Sequence, residues 1–319
     1  MECILIAGGT GMIGTALIQE LMLNGYDVIV LSRHSAPQNR VGSSLTYASW
    51  DIKTQTIDQS AIQKADHIIH LAGAGIADKR WTKKRKQEIL ESRTSTSRLL
   101  VKALRECPNK VKTIVSASAI GWYGQDPVVR KPAGFVETDP AASDFLGLTC
   151  KKWEESIDKA LSLGIRVVTL RTGIVLSSTG GALKEFKKPL KFGIAPILGN
   201  GKQIISWISI NDLVRIYIHA LQNERMKGVF NAVAPSPVSN KEFILTLAKT
   251  RRGSFYIPVK VPAFTLKIIL GEMAIEVLKS ATVNCDKIQN TGFTFQFPTV
   301  KATLENLLFI SRIKANYTN

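Results

Sequence analysis

The sequence predicts an α/β fold, a doubly wound parallel sheet with a small, mostly helical C-terminal subdomain, on three observations. A short apolar run, Cys3 to Ala7, passes straight into Gly8-Gly9-Thr10-Gly11-Met12-Ile13-Gly14. β-type runs then alternate with helical patterns as far as Arg171, and beyond Val238 prolines punctuate short amphipathic segments.

The first run reads as a strand, and the pattern from Thr15 to about Asn24 as a helix closed by Gly25. Tyr26 to Leu31 is the second strand, which completes a βαβ unit. Between strand and helix, Gly8 releases the chain into unusual dihedrals, Gly11 lets the backbone approach a pyrophosphate, and Gly14 lets the helix pack on the sheet. The free N–H groups and positive dipole end of the helix then face the phosphates. Gly8, Thr10, Gly11, Met12, Ile13 and Gly14 are therefore the expected pyrophosphate-binding residues. A tight loop that binds nothing is the alternative, and the strand before and helix after weigh against it.

The end of the second strand bears on which dinucleotide. An Asp or Glu there bonds the ribose 2′-hydroxyl of NAD, but this chain has Ser32-Arg33-His34. A hydroxyl and a guanidinium suit a 2′-phosphate, so the expected cofactor is NADP(H).

Leu45 to Trp50, closing on Asp51, is the third strand, and Ala65 to Leu71, ending in Ala72-Gly73-Ala74-Gly75, the fourth. A long helix from Lys83 to Arg105 follows, with Ile89, Leu99 and Leu100 on its inner stripe. Thr113 to Ala117 and Arg166 to Arg171 are strands five and six, separated by a helix around Cys150 to Leu163. Ligands of such sheets sit outside the carboxyl ends of the strands. His67 and His70 fall on opposite faces of the fourth strand, so no metal site is expected there.

With 319 residues, 45% hydrophobic and 21% charged, the chain can bury one large core and a small appendage. The first apolar stretch is too short for a signal peptide, and no segment approaches the ~20 apolar residues of a membrane span. Four scattered cysteines without a CxxC pair fit free thiols in a reducing cytoplasm. The net charge of +17 is concentrated partly in Lys79 to Lys86 and in Lys184, Lys187, Lys188 and Lys191. With no nucleic-acid module present, this reads as a basic enzyme surface that attracts anionic small molecules; neither nucleic acid nor membrane is an expected partner.

The motifs together resemble those of the extended short-chain dehydrogenase/reductases, in an atypical branch of the NAD(P)-dependent epimerase/dehydratase family with a small C-terminal domain of uncharacterised role. The resemblance is carried by Gly8 to Gly14, Arg80-Trp81, Ser92-Arg93, Ser116 to Gly124, Trp153-Glu154 and Arg171 to Leu176. It continues through Gly199 to Gly201, Trp207-Ile208, Asp212-Leu213, Pro262-Ala263, Gly271 to Ala274 and Gly292-Phe293, nearly the whole chain. It implies a Rossmann fold over residues 1–240 with substrate loops from about 173 to 210, a C-terminal domain over 241–309 and a frayed tail over 310–319. It also places Asp51 near the adenine ring, and Ala72 and Gly73 near the adenosine ribose and pyrophosphate.

The superfamily's catalytic Tyr and Lys, four residues apart, register on Leu146 and Cys150 here, and neither side chain can replace them. Lys151 lies ~100° of helix away from the lysine slot. Ser118 aligns with the superfamily's serine that bonds the reacting substrate oxygen, and Tyr123 is the nearest phenol available as an acid. Their structural alternatives are a strand-end cap for Ser118 and, for Tyr123, packing beside Trp122 or over the nicotinamide. Where the branch tends to have His and Asp this chain has Ser209 and Asn211, and Asn211 or Asp212 is the expected cap of the next helix. Arg80, Lys86 and Arg93 either bind an anionic substrate or are solvated helix cations.

Ser177 to Gly181, the basic segment Leu183 to Phe192 and the loop Ile194 to Gly201 read as a lid. Val238-Ser239-Asn240 starts a helix; Ala263 to Leu278 and Val300 to Leu308 are further short helices. The apolar face Phe264, Ile268, Ile269 and Ile275 covers the cleft or an oligomer or partner surface. Two functions follow: an NADP-dependent oxidoreductase or epimerase using Ser118 and Tyr123, or a non-catalytic NADPH-binding sensor or scaffold. The lid favours the first and the missing Tyr/Lys pair the second.

Overall fold

Short buried strands separated by helices give, in chain order, β1 (Cys3–Ala7), α1 (Met12–Leu23), β2 (Asp27–Ser32), β3 (Leu45–Asp51), β4 (Thr56–Ile57), α2 (Gln59–Lys64), β5 (His67–His70), α3 (Lys83–Glu106) and β6 (Thr113–Ala119). Next come α4 (Phe145–Ile157), β7 (Arg166–Thr172), β8 (Ile174–Leu176), α5 (Gly181–Leu190), β9 (Ile194–Leu198), β10 (Ile204–Ile205), β11 (Trp207–Ser209), α6 (Ile210–Gln222) and β12 (Gly228–Ala232). The chain ends with β13 (Val238–Ser239), α7 (Asn240–Arg252), β14 (Ile257–Val261), α8 (Ala263–Leu270), α9 (Ala274–Leu278), α10 (Asp286–Gln289) and α11 (Val300–Tyr317). This computed structural model describes residues 1–33, 44–127 and 133–317, with side chains as far as Phe309. His34, expected at the cofactor, lies outside the described residues.

Alternation along β1 builds a core on each side of the sheet. Ile4 and Ile6 pack with Leu17 and Leu21 of α1 and with α6, whereas Leu5 and Ala7 join Leu99 and Leu100 of α3. The sheet order is β12-β7-β6-β5-β1-β2-β3-β4, parallel except where β4 runs back against β3. The order reverses at β1, between β5 and β2, and in such sheets ligands sit at the carboxyl ends beside that switch point.

All six expected strands form, and the sheet has two more, so the six-strand expectation is corrected to eight. β12 pairs with β7 and is signalled only by Val229 and Phe230; β4 is a two-residue edge strand. The loop expected at Ile194 to Gly201 is largely β9, held by parallel pairing to β14. The expected cap of α6 is also corrected: Ser209 accepts the Asn211 N–H. Asp212 is fully buried and accepts the backbone N–H groups of Gln296 and Phe297, both at 2.8 Å, which fastens the C-terminal segment to the sheet domain. α11 continues past Leu308 to Tyr317. Leu266 and Ala274 of the C-terminal segment are buried against Leu198, while Phe264, Ile268, Ile269 and Ile275 all face outward.

Candidate functional site

The glycine turn has the geometry that a phosphate cradle needs. Gly8 sits at φ +91°, and a Cβ there would lie 2.8 Å from the Ala72 nitrogen; one on Gly14 would lie 2.5 Å from the Gly8 carbonyl oxygen. Gly11 is different, since its Cβ would meet only the Gly8 oxygen at 3.5 Å. It is exposed, as is Thr10, and it begins α1 without a capping side chain. The first N–H groups of α1, from Met12 and Ile13, are thus uncapped and adjoin open space, a cradle that fits a pyrophosphate. The Met12 side chain turns away to Gly180 and Gly181, the start of the expected lid.

Ser32 ends β2, paired with Ser49 of β3, and exposed Arg33 follows it. Two residues beyond Ser49, Asp51 accepts the Lys53 N–H at 2.7 Å and so holds the β3–β4 turn. Ala72 abuts the glycine turn, and exposed Gly73 lies beside the Arg93 side chain.

The two expected catalytic side chains belong to a buried network. Ser118, on β6, donates to Glu154 Oε1 at 2.6 Å. Glu154, on α4, receives Nε and Nη2 of Arg171, on β7, both at 2.9 Å. Tyr123 is fully buried; its hydroxyl donates to Asn231 Oδ1 at 2.7 Å and accepts from Arg171 Nη1 at 3.1 Å. Its ring stacks on Phe135, and the guanidinium of Arg171 lies 3.5 Å from the centre of the Trp122 ring. Burial pushes the Tyr123 phenol up to about 12. The phenol is thus hydrogen-bonded by Asn231 and Arg171 and enclosed by Phe135. Glu154, Arg171 and Asn231 are far apart in sequence, and nothing in the spacing announced that they would meet.

The Tyr and Lys slots on α4 are filled by buried Leu146 and Cys150, both beside Gly121. The Cys150 thiol points to the Ala119 carbonyl at 3.6 Å, and burial, reinforced by Glu154, raises it to about 12. A second cation in this region, besides Arg171, is Arg93, from α3. Its Nη1 donates to the carbonyls of Ala74 and Ile89, at 3.1 and 2.9 Å, and its guanidinium lies 5.0 Å from the centre of the Trp153 ring. No carboxylate among the described residues pairs with it. Burial lowers its pKa from the ordinary arginine value. Buried His70 bonds Thr96 and Ser116 on the same side, and burial, then Arg93, brings its imidazole down to about 3. Trp153 Nε1 is buried without a hydrogen-bond partner among the described residues.

Arg80 and Lys86, the other cations expected at an anion, are engaged elsewhere. Arg80 donates to the Ile268 carbonyl and Lys86 pairs with Glu272, so both fasten the C-terminal segment over the start of α3. Trp81, Phe145, Leu146, Ile89 and Met273 form the apolar seam beneath that roof.

Residues 4–144 match the NAD dependent epimerase/dehydratase family, and residues 261–307 match a domain of unknown function. An epimerase family protein of Staphylococcus saprophyticus is 35% identical over 97% of this chain and 100% of its own length. The crystal structure of a human epimerase family protein, SDR39U1 isoform 2, with NADPH superposes with a TM-score of 0.83 at 31% identity, covering 96% of this chain and 98% of that one. The crystal structure of the nucleoside-diphosphate sugar epimerase of Corynebacterium glutamicum gives 0.75 at 28% identity, covering all of this chain and 62% of that one. With the glycine cradle at the sheet's switch point and a relative matched along nearly its whole length, the chain belongs to the NAD-dependent epimerase/dehydratase family.

Proposed function

We propose that this protein is an NADP(H)-dependent oxidoreductase acting on a small anionic molecule held over the carboxyl ends of β1, β5 and β6. One observation carries the reading: Arg93 is a partly buried cation without a carboxylate partner among the described residues, beside exposed Gly73 and the α4 slots. A buried charge calls for an opposite charge, and a ligand anion in the cleft supplies it. The NADPH in the human relative's structure and the nucleoside-diphosphate sugar in the bacterial relative's name agree with such ligands.

In this reading, the cradle from Gly8 to Gly14 and the N-terminus of α1 hold the pyrophosphate, and Ser32 and Arg33 take the 2′-phosphate. The cofactor, when bound, supplies or accepts the hydride. Arg93 orients the substrate's anionic group from α3, on the side where α4 has no lysine. Ser118 and Tyr123 shape the floor through Glu154, Arg171 and Asn231. Residues 241–309 roof the cleft as a small domain.

The test combines binding and turnover. NADPH and NADH are titrated by nucleotide fluorescence against the wild type and Arg33→Asp, and NADPH oxidation is followed with carbonyl compounds that do or do not carry a carboxylate or phosphate. Tighter NADPH binding that Arg33→Asp abolishes, together with oxidation by anionic carbonyls only, is the expected result. Arg93→Leu then raises KM for them by about 10–100-fold, the worth of a charged hydrogen bond, and Arg93→Lys restores part. Equal affinity for the two nucleotides in both proteins overturns the cofactor assignment.

Leu146 and Cys150 in the catalytic slots favour a second reading, NADPH binding without turnover in a sensor or scaffold. Intact NADPH binding with no oxidation across the panel selects it.

A further inference from the structure

The C-terminal half presents a second surface, on residues other than those assigned to the cofactor. β14 is unusual for a strand in being mostly exposed, with Ile257 at 69% and Val259 at 41%. Its Ile257 N–H bonds the Gly193 carbonyl, which brings in Phe192 and Phe255, exposed at 82% and 84%. Val261, on the same strand face as Ile257 and Val259, packs with Leu266 of α8, the helix that follows β14, and Phe264 and Ile268 of that helix are exposed. Isolated apolar residues on a surface are ordinary, but several protruding Phe and Ile side chains on β14 and the elements next to it mark an interaction site.

The charge around this group has one sign. No Asp or Glu occurs between Glu242 and Glu272, a stretch that holds Lys249, Arg251, Arg252, Lys260 and Lys267. None occurs between Glu185 and Asp212, where Lys187, Lys188, Lys191 and Lys202 stand. Lys191, Arg252, Lys260 and Lys267 are exposed among the apolar residues, and the flanking Glu185 is paired with Lys188. Arg251 is near enough to Lys187 to act, after burial, against its charge.

We propose that this face binds the surface of an anionic lipid bilayer, the Phe and Ile side chains entering the acyl boundary and the Lys and Arg side chains meeting the headgroups. Protruding apolar groups inside a cationic rim are the combination that such a surface selects. A second copy is a poorer occupant, because a two-fold contact would set the cationic rim against itself. Nucleic acid would use the cations but leave the aliphatic side chains in water. Surface binding needs no spanning segment, and no described helix is long and apolar enough to cross a membrane. It revises the expectation that no membrane is a partner.

The test is flotation of the full chain with vesicles of phosphatidylcholine alone or mixed with phosphatidylglycerol. Binding to the anionic vesicles only, weakened by salt, is expected. Lys260→Glu and Lys267→Glu each lower it about fivefold or more, and Phe255→Ser with Phe264→Ser lowers it at unchanged melting temperature and NADPH affinity. Equal binding to both vesicles, or binding indifferent to these variants, overturns the proposal. So does a dimer in sedimentation velocity that Phe255→Ser dissociates without vesicles, or binding to single-stranded RNA alone that the lysine variants lose and the phenylalanine variants keep.

Discussion

Glu154 and Arg171 form a bidentate ion pair in the protein interior, both N···O distances 2.9 Å, with both side chains nearly inaccessible to solvent. The pair joins α4 to β7 and also receives Ser118. Removing one partner strands the other's charge in a low-dielectric interior. Glu154→Gln is therefore expected to cost about 3–5 kcal/mol in urea unfolding. A double-mutant cycle with Arg171→Met recovers part of that loss, and additive single effects would show that the two groups act independently.

Tyr123→Phe separates the architectural role from the catalytic one. Losing the hydroxyl shared by Asn231 and Arg171 costs about 1–3 kcal/mol of stability. Turnover per folded molecule stays near wild type in single-turnover kinetics, whereas loss of a general acid would cost about 10²–10⁴-fold.

Two glycines of the turn answer differently to alanine. Gly14→Ala drives a methyl into the Gly8 carbonyl and Gly9, at 2.5 Å from each, and lowers the melting temperature. Gly11→Ala meets nothing nearer than 3.5 Å. It folds normally and loses NADPH affinity, because its methyl stands where the pyrophosphate approaches. Unchanged NADPH affinity in folded Gly11→Ala would remove the cradle from the cofactor site.

Acid sensitivity is expected from His70, whose imidazole burial brings from 6.5 to about 3. Between those values the unfolded chain binds a proton that the folded chain refuses. The stability is fully present above about pH 6.5 and is lost as pH falls, by up to about 1.4 kcal/mol per pH unit. Asp158 has the opposite sense: burial, then Glu154, raises its carboxyl to about 6, which favours the fold at low pH and fades as pH rises through that value. Comparing wild type with His70→Gln cancels the Asp158 contribution. The difference between the two proteins should shift in the variant's favour as pH falls from 6.5 to 4, and parallel profiles would reject the assignment.

Local patterns made much of the fold legible. The strand-glycine-helix junction at Ala7 to Gly14, the alternation of β1 and the Ser239 cap are each specified by a few adjacent residues. What stayed hidden depends on partners distant in the chain. β9 is a strand because β14 lies beside it, and Asp212 is an anchor rather than a cap because Gln296 and Phe297 come to it. The site divides the same way: the glycine cradle was readable, but Tyr123 reads as an available phenol until Asn231, Arg171 and Phe135 surround it. Arg80, Lys86 and Arg93 looked alike as helix cations, and the first two meet the C-terminal segment while the third does not.

The clasp between Arg80 and the Ile268 carbonyl spans 188 positions of the chain. During synthesis the glycine cradle leaves the ribosome early, yet Trp81 and Phe145 keep an uncovered edge until Met273 has been made. The nascent chain thus carries an exposed aromatic seam through much of its translation, a natural stopping point for a chaperone. A ribosome stalled shortly before residue 273 should display a dinucleotide cradle on a particle still prone to stick to its neighbours.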